Sequence, residues 1–190
     1  MEIELALLAA GSANRFGAIK QLADVNGKAL IRQVIDNIPS AYFSRIMVLL
    51  GANHERIQAV LPAAVEQRFV EQWQQGMSAS IKAAVANAAS STTHLMVVLG
   101  DQIALSAQDY DSLMRASRQY PEHVVCAHYQ ERFAVPAIFP RAYWQQLSEL
   151  SGDKGARQLL ANTDQIVTLD MPRAAIDIDT PEQLRAYLSQ

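Results

Sequence analysis

The sequence is sparing in the residues from which several common kinds of site are built. Cys126 is the single cysteine in 190 residues, which excludes an intrachain disulfide and a metal cluster held by cysteines. The 16 basic residues do not outnumber the 19 acidic ones, and a net charge of −3 argues against a protein that binds nucleic-acid backbones. The four histidines show no metal-ligand spacing.

Long apolar runs are also lacking. No run approaches the roughly 18 residues that a membrane span requires. The start of the sequence, Met1-Glu2-Ile3-Glu4, has no basic region of the kind that opens a signal peptide. We therefore expect a cytoplasmic protein that does not enter the membrane.

What the sequence does have is a globular composition, with 50% hydrophobic and 18% charged residues. Its length suits one domain over residues 1–190. Segments of helical periodicity alternate with short apolar runs of strand length, which are Ile3–Ala9, Ile46–Leu50, Leu95–Leu99, Val124–Ala127 and Ile166–Leu169. This alternation predicts an α/β fold with a mostly parallel sheet, in which ligands bind beyond the carboxyl ends of the strands.

The loop after the first predicted strand combines small residues with two cations. Small residues let backbone N–H groups approach a ligand and form an anion-binding nest. Arg15 and Lys20 can bind phosphate oxygens, although an ordinary loop with two solvated cations is an alternative. Ala13 stands where Gly-x-Gly-x-x-Gly requires its second glycine, and Lys20 lacks the flanking residues of a Walker A loop, so both motifs are excluded.

Carboxylates follow the third apolar run and precede the last predicted helix. Asp101 can hold Mg²⁺ beside substrate phosphates, or it can cap the next helix, for which Ser106 is better placed. Asp177 and Asp179 are two residues apart, so in an extended segment they face the same side and can point at one cation. Alternatively, Asp179 helps to cap the last helix, for which Thr180 has the pattern of a first residue.

Two further segments contain glycines. The segment Trp73-Gln74-Gln75-Gly76-Met77-Ser78-Ala79-Ser80 ends an extended run at Gly76, and Ser78 or Ser80 can cap the helix that follows. A nucleophilic-serine elbow, Gly-x-Ser-x-Gly, would need glycine where Ser80 stands, which excludes a hydrolase of that kind. Farther on, Asp153 can cap a short helix and Arg157 can be an ordinary surface residue.

Taken in chain order, these motifs resemble those of the nucleotidyltransferases related to the molybdenum-cofactor enzymes. That family shows Leu-Ala-Ala-Gly-x-Ser-x-Arg-Met-Gly-x-x-Lys-x-Leu in the first loop. The chain matches its charges and its glycine spacing, with Ser12 one place early and Phe16 in place of methionine. The family also shows Gly-Asp-Gln-Pro, Asp-Ile-Asp-Thr-Pro-Glu-Asp and Leu-x-Gly-Asp-x-Gly-Ala-Arg. Here Ile103 replaces the proline, and Ala134 replaces a glycine that usually precedes Pro136.

The resemblance implies a three-layer α/β sandwich of the nucleotide-diphospho-sugar transferase type and a Mg²⁺-dependent reaction. The terminal phosphate of molybdopterin would attack the α-phosphorus of CTP and release pyrophosphate, and the product would suit a client molybdoenzyme. In this family Leu-Ala-Ala-Gly accompanies CTP, whereas Leu-Ala-Gly-Gly accompanies GTP. Ala10 therefore favours cytosine.

The resemblance also assigns roles to particular residues. The implied catalytic residues are Arg15, Lys20 and Asp101. The implied metal ligands are Asp101 with Asp179 or, next in order, Asp177. The implied acceptor-binding residues are Pro136, Asp153 and Arg157. The implied nucleotide-binding residues are Leu8, Ala9, Ala10, Gly11, Ser12, Arg15, Lys20, Gly76, Met77, Ser78, Ser80 and Gly100.

Three alternatives remain open at this point. The first is a guanylyltransferase for the same cofactor, and the second is a nucleotidyltransferase for a sugar phosphate or another small phosphate. The third is a non-catalytic carrier of molybdopterin, which the departures at Ile103 and Ala134 motivate. Only the carrier predicts pterin binding without release of pyrophosphate.

Overall fold

A seven-stranded sheet forms the centre of the computed structural model, which describes residues 1–12, 14–153 and 155–189. The strands are β1 (Ile3–Ala9), β2 (Asp24–Val25), β3 (Lys28–Ala29), β4 (Arg45–Leu50), β5 (Glu66–Phe69), β6 (His94–Leu99), β7 (Val124–Tyr129), β8 (Arg132–Pro140) and β9 (Ile166–Asp170). Strands β2 and β3 pair with each other in a separate small ribbon. The helices are α1 (Leu30–Asp36), α2 (His54–Gln58), α3 (Met77–Asn87), α4 (Ala107–Gln119), α5 (Trp144–Glu149), α6 (Arg157–Ala161) and α7 (Pro181–Leu188).

The sheet is mostly parallel, as the sequence predicts. Its order is β5-β4-β1-β6-β8-β7-β9. Strand β8 is antiparallel to both of its neighbours, and every other pair in this sheet is parallel. Strands β1, β4 and β6 therefore end at the same edge, where the loops after β1 and β6 lie side by side.

Helices cover both faces of the sheet, which makes three layers. All seven residues of β1 are buried, because alternate side chains enter two different cores. Leu5 and Leu7 pack with residues of α1, α2, α4 and α7, whereas Ala6 and Leu8 pack with residues of α3, α5 and α6. This double coverage explains why β1 is apolar at every position except Glu4. Within the part of the chain that the structure describes, no helix has both the length and the apolarity needed to cross a membrane.

All five predicted strands are present, with ends that differ by at most two residues. Strands β5 and β8 of the main sheet, and both strands of the small ribbon, are additions that the apolar pattern does not predict. Strand β5 lies at an edge of the sheet and carries the polar residues Glu66, Gln67 and Arg68, so it lacks an apolar run. Strand β8 contains Pro136 and Pro140, which in a sequence argue against a central strand.

Helix starts confirm two of the predicted caps and correct a third. Thr180 begins α7, where the Gln183 N–H donates to its hydroxyl oxygen at 3.2 Å. Ser106 begins α4, so Asp101 does not cap that helix. Ser78 and Ser80 do not cap α3, because Gly76 occupies the capping position and both serines lie inside the first turns of the helix, where they are buried.

Glu4 is a buried carboxylate near the amino end of β1. It therefore lies at the end of the sheet opposite to the loops that follow β1 and β6. It accepts hydrogen bonds from the Arg45 guanidinium at 2.6 Å, the Thr92 hydroxyl at 2.6 Å and the Ala89 N–H at 3.0 Å. Burial alone would raise the pKa of Glu4. The three donors outweigh that effect, and the pKa lies below its ordinary value of 4.5.

A lowered pKa makes Glu4 a source of pH-dependent stability. Its contribution is present above pH 4.5 and is lost as the pH falls through the lower pKa of the folded state. We expect Glu4→Gln to lower the free energy of unfolding at pH 7 by about 1.5–3 kcal/mol, as for a hydrogen-bonded charged group. The difference from wild type should shrink below pH 4.5.

Urea unfolding at pH 7 and below pH 4.5 measures this difference. Glu66→Gln is the matched control, because it removes a carboxylate that contacts the same Arg45 but is 42% exposed. That control should change the free energy of unfolding by less than about 1 kcal/mol. An equal loss for Glu4→Gln at both pH values would contradict the assignment.

Candidate active site

The carboxyl edge of the parallel strands gathers three segments that are distant in sequence. They are the loop after β1, the loop after β6 and the extended segment that precedes α7. Gly100 connects the first two, since its N–H donates to the Leu8 carbonyl at 2.9 Å and a Cβ at Gly100 would lie 3.1 Å from the same oxygen. The edge of the sheet that the topology favours for ligands is therefore the edge where the predicted site residues meet.

The loop after β1 turns its carbonyl groups toward the protein. The buried side chain of Gln21 donates from Nε2 to the carbonyls of Ala9, at 3.3 Å, and Gly11, at 3.1 Å. The Ala52 N–H donates to the carbonyl of Ala10 at 3.0 Å. Within the residues described, the N–H groups of Gly11 and Ser12 donate to no protein acceptor. This orientation leaves the two N–H groups available to an anion.

Gln21 was missed by the sequence argument, since nothing near position 21 indicates that its partners are twelve and ten residues earlier. We expect Gln21→Leu to raise the KM for a nucleotide about tenfold with a smaller effect on kcat. The leucine is similar in size but removes both hydrogen bonds that Gln21 donates to the loop, so the loop would no longer be held in one conformation.

Steady-state kinetics measures this change. Thr92→Val is the control, because it removes a buried hydrogen bond to Glu4 at the far edge of the sheet. The control should lower stability and leave KM unchanged. An unchanged KM in Gln21→Leu would show that Gln21 does not position the loop.

Four charged side chains form a compact cluster below this loop. The ammonium group of Lys20 lies 2.6 Å from Asp101 Oδ2 and 2.9 Å from Asp179 Oδ1. The guanidinium of Arg15 lies 2.7 Å from Asp179 Oδ2. The Arg15 side chain is 77% exposed, whereas that of Lys20 is 11% exposed. The cluster thus joins all three segments at the carboxyl edge.

Burial and charge act in opposite directions in this cluster. Burial alone would lower the pKa of Lys20, but its contacts with Asp101 and Asp179 outweigh this effect and raise the pKa, so Lys20 is charged. Burial raises the pKa of Asp101. Lys20 opposes that rise, while the neighbouring charges of Asp177 and Asp179 add to it. Asp101 is consequently a carboxylate that gains from any further cation placed beside it.

Asp101 has the free oxygen that a metal ligand needs. Its Oδ1 atom is buried and has no hydrogen-bond partner among the residues described. No group of three acidic, histidine or cysteine side chains is close enough to hold a metal in that same set. The ammonium of Lys20 contacts both Asp101 and Asp179. Asp177 is exposed, with Ile178 buried between it and Asp179. Two carboxylates fit Mg²⁺, which binds proteins through one or two carboxylates together with substrate phosphates.

A cleft of about 470 Å³ opens beside the charged cluster. Most of the predicted nucleotide-binding residues line it, and these are Leu8, Ala9, Ala10, Gly11, Ser12, Lys20, Gly76, Met77, Ser80 and Gly100. Trp73 and Gln74 also line the cleft, although the sequence motif assigns no role to them. Ser78 and Arg15 are not part of the lining. Ser78 is buried against the Gly152 carbonyl, to which its N–H donates at 3.2 Å.

Two glycines allow the walls of this cleft to approach each other. A Cβ at Gly51 would lie 2.6 Å from both the Ala10 carbonyl oxygen and the Trp73 side chain. Gly76 has a φ of +95°, and a Cβ there would lie 2.8 Å from the backbone of Gly152. The glycine in Gln75-Gly76-Met77 is therefore required by both conformation and space.

Of the three predicted acceptor-binding residues, only Asp153 is among the described residues that line the cleft. Asp153 lines the same cleft as the predicted nucleotide-binding residues and lies against Gly76. Pro136 is buried within β8, and Arg157 is exposed at the start of α6. Lys154, which adjoins Asp153 in the quoted motif, lies outside the described residues. The acceptor role of these residues stays a prediction.

Gln102 is a second buried glutamine that links parts of the site. Its Oε1 accepts from the Leu99 N–H at 3.2 Å, while its Nε2 donates to the carbonyls of Val135 at 2.9 Å and Ala174 at 3.1 Å. It thereby connects the end of β6, which carries Asp101, with β8 and with the segment before Asp177 and Asp179. Ile103, where the family motif has proline, is simply a buried core residue.

A family model described as a MobA-like NTP transferase domain matches residues 5–167. The bifunctional protein GlmU of Exiguobacterium sp. is 31% identical over 116 residues, which are 60% of this chain and 26% of GlmU. The chain thus spans about a quarter of the length of that curated relative.

Solved structures share the fold over the whole chain. Rv0371c from Mycobacterium tuberculosis H37Rv superposes with a TM-score of 0.85 at 23% identity, covering 100% of both chains. A structure of Rv0371c in complex with manganese gives a TM-score of 0.80 at 22% identity, again covering 100% of both chains. Molybdopterin-guanine dinucleotide biosynthesis protein A from Archaeoglobus fulgidus gives 0.71 at 15% identity, covering 98% of this chain and 97% of that one.

Proposed function

Because the chain belongs to the MobA-like NTP transferase family and is a nucleotidyltransferase, we propose that it transfers CMP from CTP to the terminal phosphate of molybdopterin. A phosphate oxygen of molybdopterin forms a bond to the α-phosphorus of CTP. The bond from that phosphorus to the bridging oxygen of the β-phosphate breaks, and pyrophosphate leaves with the electron pair. The product is a cytidine dinucleotide form of the cofactor.

The observation that carries this proposal is the contact of Lys20 with both Asp101 and Asp179, since Lys20 and Asp101 line the same cleft as the residues of the loop after β1. The attacking group is already an anionic oxygen, so the reaction needs no strong general base. It needs two highly charged substrates to be positioned and their charge to be neutralised. A site with two cations, two carboxylates and backbone N–H groups that have no acceptor among the described residues supplies what that chemistry requires.

Each of these groups has a distinct task in the proposed reaction. The N–H groups of Gly11 and Ser12, with Lys20 and Arg15, would bind the triphosphate and stabilise the charge that develops on the leaving pyrophosphate. Asp101 and Asp179 would hold Mg²⁺, which supplies Lewis-acid stabilisation of the phosphoryl oxygens when it is bound. The unpartnered Oδ1 of Asp101 supports the fit of a hard cation at this position.

The choice of CTP depends on Ala10. Ala10 lines the cleft and is buried, and its carbonyl accepts a hydrogen bond from the Ala52 N–H. A methyl group at this position leaves less room than the glycine of the Leu-Ala-Gly-Gly pattern and so favours the smaller pyrimidine. The proposed partners are therefore CTP, molybdopterin and a client molybdoenzyme, and the proposed compartment is the cytoplasm.

Thermal unfolding with each of CTP, GTP, ATP and UTP in the presence of Mg²⁺ tests the nucleotide. A ligand at 100 times its dissociation constant stabilises a protein by about 2.7 kcal/mol, which gives a measurable shift in Tm. We expect a shift with CTP that Asp101→Ala abolishes. A shift with GTP instead would retain the chemistry and change the base, and no shift with any nucleotide would contradict the proposal.

A further inference from the structure

In the charged cluster of the site, the two cations form ion pairs with the two carboxylates of the same cluster. Both carboxylate oxygens of Asp179 contact a cation, Lys20 at 2.9 Å and Arg15 at 2.7 Å. The ammonium of Lys20 also contacts Asp101 at 2.6 Å. The two cations proposed for the triphosphate are thus bound to the two carboxylates proposed for the metal.

This pairing sets up a competition for each ligand when it binds alone. A polyphosphate must draw Lys20 and Arg15 away from Asp179 and leave that carboxylate, which is only 22% exposed, without a partner. A divalent cation must enter a position beside Asp101 and Asp179 that the ammonium of Lys20 fills. When both ligands bind, the polyphosphate takes the cations away from the carboxylates that the metal requires. The metal in turn takes the carboxylates away from the cations that the polyphosphate requires. Differential contacts of this kind are what couples two binding events.

We propose that Asp179 is a positioning residue that withholds Lys20 and Arg15 from phosphate until a divalent cation takes its carboxylate. Metal and polyphosphate then bind with positive cooperativity that is built into the protein and does not depend on their affinity for each other in solution. The inference depends on the proposed function, because it assumes that this site takes a polyphosphate and a metal. Unlike the proposed function, it predicts that removing the Asp179 carboxylate strengthens the binding of a polyphosphate.

The direct test is the binding of inorganic tripolyphosphate in the presence of EDTA, measured by isothermal titration calorimetry. Asp179→Asn keeps the size of the side chain and removes the charge that holds Lys20 and Arg15. We expect it to bind tripolyphosphate at least about fivefold more tightly than wild type, within the range of about 5–150-fold seen for coupled sites. Unchanged or weaker binding by a folded Asp179→Asn protein would overturn the proposal.

Asp177→Asn is the charge-matched control. It removes one negative charge two residues away, from an exposed side chain for which the described residues provide no hydrogen-bond partner. A general gain in positive potential would strengthen tripolyphosphate binding equally in both variants, by about twofold or less after screening by salt. A gain confined to Asp179→Asn supports the proposal, whereas equal gains overturn it.

A second variant tests the metal side of the same competition. Lys20→Met removes the ammonium from between Asp101 and Asp179 and keeps a side chain of similar length. At pH 8, without nucleotide, we expect Mn²⁺ to bind this variant about tenfold more tightly than wild type. Weaker or equal Mn²⁺ binding would show that Lys20 does not compete with the metal.

Failure of this inference can be told apart from failure of the proposed function. If wild type and Asp179→Asn bind tripolyphosphate equally in EDTA, and wild type still shows the shift in Tm with CTP and Mg²⁺, the coupling is wrong and the function stands. If wild type binds neither tripolyphosphate nor any nucleotide with metal, both are wrong.

Discussion

Replacement of Asp101 by alanine is expected to lower turnover by at least about 10²–10³-fold, the cost of one preorganised charge contact in a transition state. Asp101 is a half-buried carboxylate in the loop after β6. Its Oδ1 has no hydrogen-bond partner among the described residues, while its Oδ2 contacts Lys20. Alanine removes the proposed metal ligand and leaves Lys20 with Asp179 alone. Both changes weaken charge neutralisation when pyrophosphate departs.

The rate of pyrophosphate release at saturating CTP, Mg²⁺ and acceptor measures this loss. Asp164→Ala removes an equal charge from an exposed position between α6 and β9 and should leave the rate unchanged. Circular dichroism and Tm establish that the Asp101 variant is folded. Turnover near that of wild type would contradict a catalytic role for Asp101.

Lys20→Ala is expected to be equally damaging, with a loss of at least about 10²–10³-fold in turnover. Lys20 is buried and contacts two carboxylates from two separate segments, Asp101 and Asp179. Its charge lies in the wall of the cleft where the triphosphate is proposed to bind. Alanine removes that charge, which leaves Asp101 without its counter-ion and Asp179 with Arg15 alone. The repulsion between the two carboxylates adds to the loss of phosphate binding.

Lys28→Ala is the matched control for this variant. Lys28 also forms an ion pair with an aspartate, Asp36 at 2.8 Å, but its side chain is 55% exposed and lies in the β2–β3 ribbon. Turnover should be unchanged in this control. A Lys20→Ala enzyme with wild-type turnover would remove Lys20 from the reaction.

The sequence predicts the layout of the fold because its strongest signals are local. A run that is apolar except at Glu4 predicts β1, and the Thr180–Gln183 pair predicts the start of α7. Because ligands bind at the carboxyl ends of parallel strands, the sequence also predicts that Lys20, Asp101 and Asp179 lie at the same edge of the sheet. Strand β5 escaped detection because an edge strand needs no apolar run.

The contacts within the site could not be predicted, because their partners are far apart in sequence. Lys20 is separated from Asp101 by 81 residues and from Asp179 by 159. A pairing of cations with carboxylates across such distances leaves no local pattern. The same holds for Gln21 and Gln102, whose hydrogen bonds to backbone carbonyls depend only on how the loops come together.

The most direct test of the proposed reaction is the fate of the α-phosphate. The protein is incubated with CTP labelled at the α-phosphorus, molybdopterin and Mg²⁺, and the products are separated and identified by mass spectrometry. The proposed reaction yields a cytidine dinucleotide of molybdopterin that carries the label, together with an equal amount of unlabelled pyrophosphate. Intact CTP beside unmodified molybdopterin, with turnover only when another nucleotide or another phosphate acceptor is supplied, would contradict it.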